Sequence, residues 1–234
     1  MTYKQRLQRA GKYLWREWIK PAAMVAVILF PLRSAIADWN WVPSGSMKPT
    51  ILEGDLVLVN KLAYDLKVPF TLQRLGEWSN PERNDIVVFF SPHDGTRLVK
   101  RVVAIPGDTL EMRSNVLLLN GKPMDYDIVA TEPYAREIYE DAQAVIAKEQ
   151  GTDGSHLVMA FPSRGSKRSF PPITVPEGKY FAMGDSRDNS FDSRYFGFVE
   201  RKQIIGRSQR VLVSLDKNHY YVPRLKRFFN AFDK

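Results

Sequence analysis

The chain has 234 residues, 44% of them hydrophobic and 12% aromatic, which suits one sizeable folded domain and excludes wholesale disorder. It has no cysteine, so a disulfide framework, a thiolate zinc site, an iron–sulfur cluster and a cysteine nucleophile are excluded. The net charge of +8 belongs mostly to one end: residues 1–37 hold seven basic residues and one acid, and their +6 leaves +2 for residues 38–234. A nucleic-acid-binding domain would spread that charge over its folded body, so no nucleic-acid partner is expected.

The first element is apolar. Lys4, Arg6, Arg9, Lys12, Arg16 and Lys20 precede an uncharged run from Pro21 to Leu32. Twelve residues fall short of the about 20 that span a bilayer. The run extends past Arg33 to Ala37, with Trp15 and Trp18 on one side and Trp39 and Trp41 on the other. This pattern predicts a transmembrane anchor over 21–41, a basic cytoplasmic segment over 1–20 and an extracytoplasmic domain over 42–234. Pro31 marks a kink, and Arg33 would snorkel to an interface. Two other structures suit the run: a cleavable signal peptide ending in Ala35-Ile36-Ala37, and a buried core helix.

Beyond the anchor, the pattern predicts a mainly β domain. Short β-branched runs at 56–60, 85–90, 97–105, 116–119, 180–183 and 210–214 read as strands. Asn120-Gly121 after the fourth reads as a type I′ hairpin turn. Gly, Pro, Asn and Asp punctuate the strands, as in a sandwich or barrel. The exception is 132–150, whose good helix formers predict a helix. With the loop-rich stretch after it, about 125–178 is expected to be an insertion, partly loop, lying away from the core.

Three segments carry candidate chemistry. Pro43-Ser44-Gly45-Ser46-Met47-Lys48-Pro49-Thr50 is a turn between anchor and first strand. It is either an ordinary linker or a clamp that holds a hydroxyl at a fixed height. A serine nucleophile needs a base. His93, His156 and His219 lie in a turn, the insertion and the tail, and none accompanies a G-x-S-x-G elbow. Lys100 lies in the apolar stretch Leu98-Val99-Lys100-Arg101-Val102-Val103. Adjacent strand residues face opposite sides, so one of Lys100 and Arg101 is expected to point inward. An inward lysine is desolvated, its pKa falls, and the neutral amine is a competent base; an outward one is a solvated surface lysine. The third segment, Gly184 to Arg194 and on to Gly197, is dense in polar residues. It suits a surface turn or a buried network that orients the lysine; the spacing of Asp185, Asp188 and Asp192 misses the EF-hand pattern. No metal and no cofactor are expected.

Together, in this order, the three segments resemble the boxes of bacterial type I signal peptidases. Pro43-Ser-Gly-Ser-Met47 with Pro49-Thr50 resembles the nucleophile box, Arg97 to Asp108 the lysine box, and Gly184 to Arg194 the final box. Gly54-Asp55 and Arg83 to Val88 match the intervening ones. Some family members have two anchor helices, whereas this sequence shows one. The resemblance implies a coiled antiparallel β-sheet catalytic domain, akin to self-cleaving repressors, behind one transmembrane helix. It implies that Ser46 is the nucleophile and Lys100 the base, with Ser44 in the oxyanion hole. Ser190 would hydrogen-bond Lys100, Asp192 and Arg194 would brace the site, and Asp185 and Gly184 would lie alongside, a side chain at Gly184 crowding the lysine. Val42, Met47, Ile51, Val57, Leu98 and Val99 would line shallow apolar pockets that accept alanine. The implied partners are the lipid bilayer and the signal peptides of exported preproteins, cut after A-x-A at the bacterial cytoplasmic membrane.

Two other functions compete. A self-cleaving repressor shares the Ser/Lys logic but needs a DNA-binding domain, which the apolar N-terminus does not suit. A membrane-anchored scaffold would have no catalysis. In the tail, Leu225, Phe228, Phe229 and Phe232 would form one apolar stripe on a helix, with Arg224, Lys226 and Arg227 beside it. That stripe predicts either a second membrane contact or a solvated extension.

Overall fold

The computed structural model describes residues 11–129 and 144–232. The basic residues Lys4, Arg6 and Arg9 lie outside them. A helix runs from Gly11 to Ile36. One π turn, Trp15–Ile19, interrupts it, where the Lys20 N–H donates to the Trp15 carbonyl. Pro21, which has no N–H for the carbonyl four residues back, comes immediately after. Met24, Val27, Ile28 and Phe30 are exposed along the helix, which is long and apolar enough to cross a membrane. It ends sooner than the sequence suggested. Residues 37–41 form strand β1 (Ala37–Trp41), so Trp39 and Trp41 stand on a sheet edge just past the helix. Five register pairs with β2 (Asp55–Asn60) win over helical continuation.

The chain then folds as curled antiparallel sheets. β3 (Asp65–Lys67) and β4 (Arg74–Glu77) make a small ribbon. β5 (Ile86–Phe90) and β6 (Arg97–Ala104) pair in register from Ile86–Arg101 to Phe90–Arg97. β7 (Thr109–Arg113), β8 (Val116–Leu119) and β9 (Lys122–Pro123) form a meander. Between β8 and β9, Asn120 and Gly121 take positive φ angles of 53° and 79°, as a type I′ turn requires. β10 (Asp125–Val129), β11 (Val145–Gly151) and β12 (Gly154–Ala160) form a three-stranded sheet. β13 (Phe170–Thr174) pairs with β7. β14 (Lys179–Met183), β15 (Val199–Glu200), β16 (Ile204–Asp216) and β17 (Val222–Pro223) complete the fold. The main sheet runs β1-β2-β16-β5-β6-β14-β15, with β17 on β16.

Alternation along β5 and β6 builds two cores. Ile86, Val88 and Val99 join Val42, Met47, Ile51, Val57 and Ile205 on one face. Val87, Phe89 and Val102 join Tyr64, Tyr180 and Ile204 on the other. Burying both faces leaves no solvent side, which is why these strands read as continuous apolar runs.

The structure corrects three expectations. The helix over 132–150 does not form at its C-terminal end. Residues 145–151 are β11, hydrogen-bonded on both sides to β10 and β12, so strand pairing overrides helix propensity. Residues 132–143 lie outside the described residues. Nor does 125–178 lie away from the core: Ile146, Met159 and Phe161 bury their side chains, and Met159 bridges to Ser186. The C-terminal stripe is not helical. Leu225–Arg227 is a single 3-10 turn, Phe229 has φ 60°, Ala231 bridges Arg210, and Phe232 packs on the Val42 core while Leu225 and Phe229 are exposed.

Candidate active site

β14 departs from β6 beyond the Met183–Arg101 pair, so Leu98 to Lys100 have no strand partner on that edge among the described residues. The 3-10 turn Gly45–Met47 lies against β6 there. Its entry is fixed by reciprocal backbone bonds: Val42 N–H donates to the Asp55 carbonyl at 2.9 Å, and Gly54 N–H to the Val42 carbonyl at 3.0 Å. Its exit is fixed by Ile51 N–H on the Met47 carbonyl at 2.9 Å, and Ser186 N–H holds the Ser46 carbonyl at 3.1 Å. The segment whose composition suits a linker is therefore a clamped turn.

Within it, Ser46 Oγ lies 2.6 Å from Lys100 Nζ, and the Ser44 hydroxyl donates to Ser46 Oγ at 3.4 Å. Ser46 is 9% exposed and Lys100 only 3%. Burial pushes the Lys100 pKa down to about 8, with Arg194 adding to the fall and the Asp192 and Asp185 charges opposing it. Among the described residues, no histidine hydrogen-bonds the Ser46 hydroxyl. A primary amine that loses its proton near neutrality, one hydrogen bond from a serine hydroxyl, can act as a base toward it.

Both Lys100 and Arg101 are buried, against the expectation that only one would be. The sheet is covered on both faces, and Arg101 is satisfied where it lies. Its Nε and Nη2 donate to the two Asp185 oxygens at 2.8 Å each, and its Nη1 to the Asn84 carbonyl at 3.0 Å. Thr50 donates to the same Asp185 at 2.5 Å, tying the Gly45–Met47 turn to this pair. Burial raises the Asp185 carboxyl, but Arg101 outweighs it and holds the pKa below the usual range.

Arg194 grips Asp192 through Nε and Nη2 at 2.9 Å each, and Asp192 also accepts from the Gly184 N–H at 3.0 Å. Asp192 is thereby kept ionised in spite of its burial. Asp188 instead accepts from Arg168, Asn115, Ser166 and the Phe161 N–H. The polar loop after β14 is thus a buried network and not a surface turn. A Cβ on Gly184 would meet Ser190 Oγ at 2.3 Å and the Ser46 carbonyl at 2.4 Å, so the crowding there falls on the serines and not on the lysine. The hydrogen bond expected from Ser190 to Lys100 is not made; Lys100 bonds Ser46, and the Ser190 hydroxyl stands beside Gly184.

Val42, Met47, Ile51, Val57 and Val99 share one apolar cluster. Leu98 does not join them; register pairs it with Phe89 on the opposite face. Sequence reasoning missed Glu149, His156 and Arg187, a second buried polar group. Arg187 donates to Glu149 at 2.8 Å, and Tyr126 does so at 2.5 Å. These partners are distant in sequence and carry no local motif.

An apolar helix long enough to cross a membrane, leading into a curled β domain with a serine and a buried lysine joined at its sheet edge, suits a membrane-tethered peptidase. The family model described as signal peptidase, peptidase S26, matches residues 15–213. The chain is 34% identical to a signal peptidase I of Pseudomonas fluorescens, over 85% of this chain and 72% of the other. It is 33% identical to one of Bacillus licheniformis, over 83% and 87%, and 30% identical to one of Buchnera aphidicola subsp. Schizaphis graminum, over 88% and 78%. The chain belongs to the signal peptidase I family, the peptidases that remove signal peptides.

Proposed function

We propose that the chain removes signal peptides from exported preproteins with Ser46 as nucleophile and Lys100 as general base. The observation that carries this is the 2.6 Å contact between Ser46 Oγ and a lysine whose burial brings its pKa to about 8. Neutral Lys100 accepts the Ser46 proton as Oγ attacks the scissile carbonyl. The resulting oxyanion is met by the Ser46 N–H and the Ser44 hydroxyl. Lys100 then gives its proton to the leaving amine as the peptide bond breaks. It next takes a proton from a water that attacks the acyl ester, and returns it to Ser46 Oγ as the ester opens. Asp192 and Asp185 hold negative charge near the ammonium form and so limit how far its pKa falls.

Cleavage after A-x-A fits the apolar cluster of Val42, Met47, Ile51, Val57 and Val99 beside the turn, where a large side chain would overpack. The helix from Gly11 to Ile36 anchors the enzyme in the plane of its membrane-bound substrates, raising their effective concentration. The basic residues before it place the N-terminus in the cytoplasm and the β domain outside, at the bacterial cytoplasmic membrane. Incubating a preprotein with full-length wild type, Ser46→Ala and Lys100→Ala tests the assignment. Both variants are expected to be folded and inactive; cleavage by either sinks it.

A further inference from the structure

A cleft of about 570 Å³ opens on the side of β6 away from Lys100, between β12, the end of the nucleophile turn and the C-terminal segment. Arg101, Lys148 and Arg227 lie on its walls, with Thr50, His156 and Asn230. No carboxylate lines it among the described residues. Asp185 and Asp55 are off the walls, each bonded to a wall arginine. Among the described residues the charged groups on the lining are therefore all positive, the opposite of what a cation would select.

Two wall groups have unused capacity. His156 is 8% exposed, and neither ring nitrogen has a hydrogen-bond partner; Nε2 stands 3.4 Å from a Glu149 oxygen without bonding it. Arg227 commits Nη2 to the Thr50 carbonyl at 3.0 Å and to Asp55 at 2.7 Å, while its Nε is buried and unpartnered. A buried donor left unmade costs about 1–3 kcal/mol; these nitrogens are enclosed, so a ligand reaches them once the His156 ring or the Arg227 side chain turns toward the cleft, and that turn recovers the cost.

We propose that this cleft binds a phosphate group carried on a small polar moiety of about glycerol size. Phosphate offers several charged acceptor oxygens to Arg227, Lys148 and His156 at once, which a single carboxylate cannot do as fully. The cleft is larger than inorganic phosphate needs, and Ser155, Thr50 and Asn230 on its walls supply hydroxyl and amide groups for the polar remainder. The site is not the catalytic one: Arg101 and Lys100 leave β6 on opposite sides, and neither Ser46 nor Lys100 lines the cleft. Such a phosphate is available from a soluble phosphate monoester or from the headgroup of an anionic lipid.

Calorimetric titration of the full chain in nonionic detergent, at constant ionic strength, with glycerol phosphate tests the first source. Binding of the same chain to phosphatidylglycerol vesicles, against phosphatidylcholine vesicles, tests the second. The expected result is saturable binding in at least one arm, weakened about tenfold or more by Lys148→Glu and by His156→Phe and unchanged by Ser46→Ala. Binding of glycerol phosphate assigns the soluble source; binding confined to the anionic vesicles assigns the lipid. No saturable binding in either arm, or binding that survives Lys148→Glu, overturns the proposal. Lys148 is exposed, so its variant remains decisive even where His156→Phe fails to fold.

Discussion

Gly184 passes so close to Ser46 that a Cβ on the glycine would stand 2.4 Å from the serine's carbonyl oxygen. Its backbone conformation is open to other residues; the demand for glycine is steric. Gly184→Ala must push the loop away from the nucleophile turn and from Ser190. Overpacking of this kind costs about 1–3 kcal/mol. A displaced nucleophile costs more in rate than in stability, about 10²-fold for a shift near 1 Å. The variant should melt a little earlier and lose most of its kcat with KM little changed. Near wild-type kcat would show that the turn does not depend on this contact.

Lys100 carries opposite consequences for activity and stability. Its folded pKa of about 8 lies below the ordinary 10.5, so between these values the unfolded chain binds more protons than the folded one. Stability must then rise with pH across that window, and at pH 7 the buried amine costs about 3 kcal/mol. Lys100→Met should abolish cleavage yet raise the denaturation midpoint at pH 7, with the gain shrinking toward pH 10. Lys100→Arg should be inactive as well, because a guanidinium does not deprotonate. Wild-type kcat/KM should climb with pH and level off above about 8. Turnover by Lys100→Arg, or a flat profile from pH 6 to 9, contradicts a lysine base.

The bracing pair near the lysine gives a sharper stability test. Asp192 and Arg194 are both fully enclosed and joined by two hydrogen bonds. Arg194→Met would leave the Asp192 carboxylate buried without its cationic partner, a loss of about 3–5 kcal/mol for a broken buried pair. The carboxylate would recover part of this by taking up a proton, so the variant should lose less stability at pH 5 than at pH 8. Equal losses at both pH values would mean that Asp192 does not rely on Arg194 for its charge.

The large elements and the Ser46–Lys100 contact were legible because local signals and the order of the boxes agreed. The β-branched runs at 56–60 and 97–105, and Asn120-Gly121, act over a few residues. What was not legible depends on partners far away in the chain. Arg101 reads as surface charge until Asp185, 84 positions later, is seen against it. Residues 145–150 hold good helix formers, and only β10 and β12 on either side make them a strand. Trp39 and Trp41 read in the sequence as the far flank of a helical span, because aromatic residues that suit an exposed sheet edge carry the same signal.

The segment that reads as a loose insertion supplies the last test. Glu149 on β11 and Arg187 in the polar loop after β14 are 2% exposed each and meet at 2.7 and 2.8 Å, with Tyr126 as a further donor. The link continues through backbone bonds: Met159 N–H donates to the Asp185 carbonyl at 2.8 Å, and Arg187 N–H to the Met159 carbonyl at 2.7 Å. The three-stranded sheet thus straps the loop that carries Asp185, Ser190 and Asp192. Glu149→Leu or Arg187→Met alone strands one buried charge and should cost about 3–5 kcal/mol. The double variant strands neither, so it should cost no more than either single variant, giving a coupling of at least about 3 kcal/mol in a double-mutant cycle. Activity should take a different course: with the ionic strap gone, the double variant should keep that stability without recovering full kcat. Additive stability losses would show that the two charges are not paired, and full kcat in the double variant would show that the strap does not hold the catalytic loop.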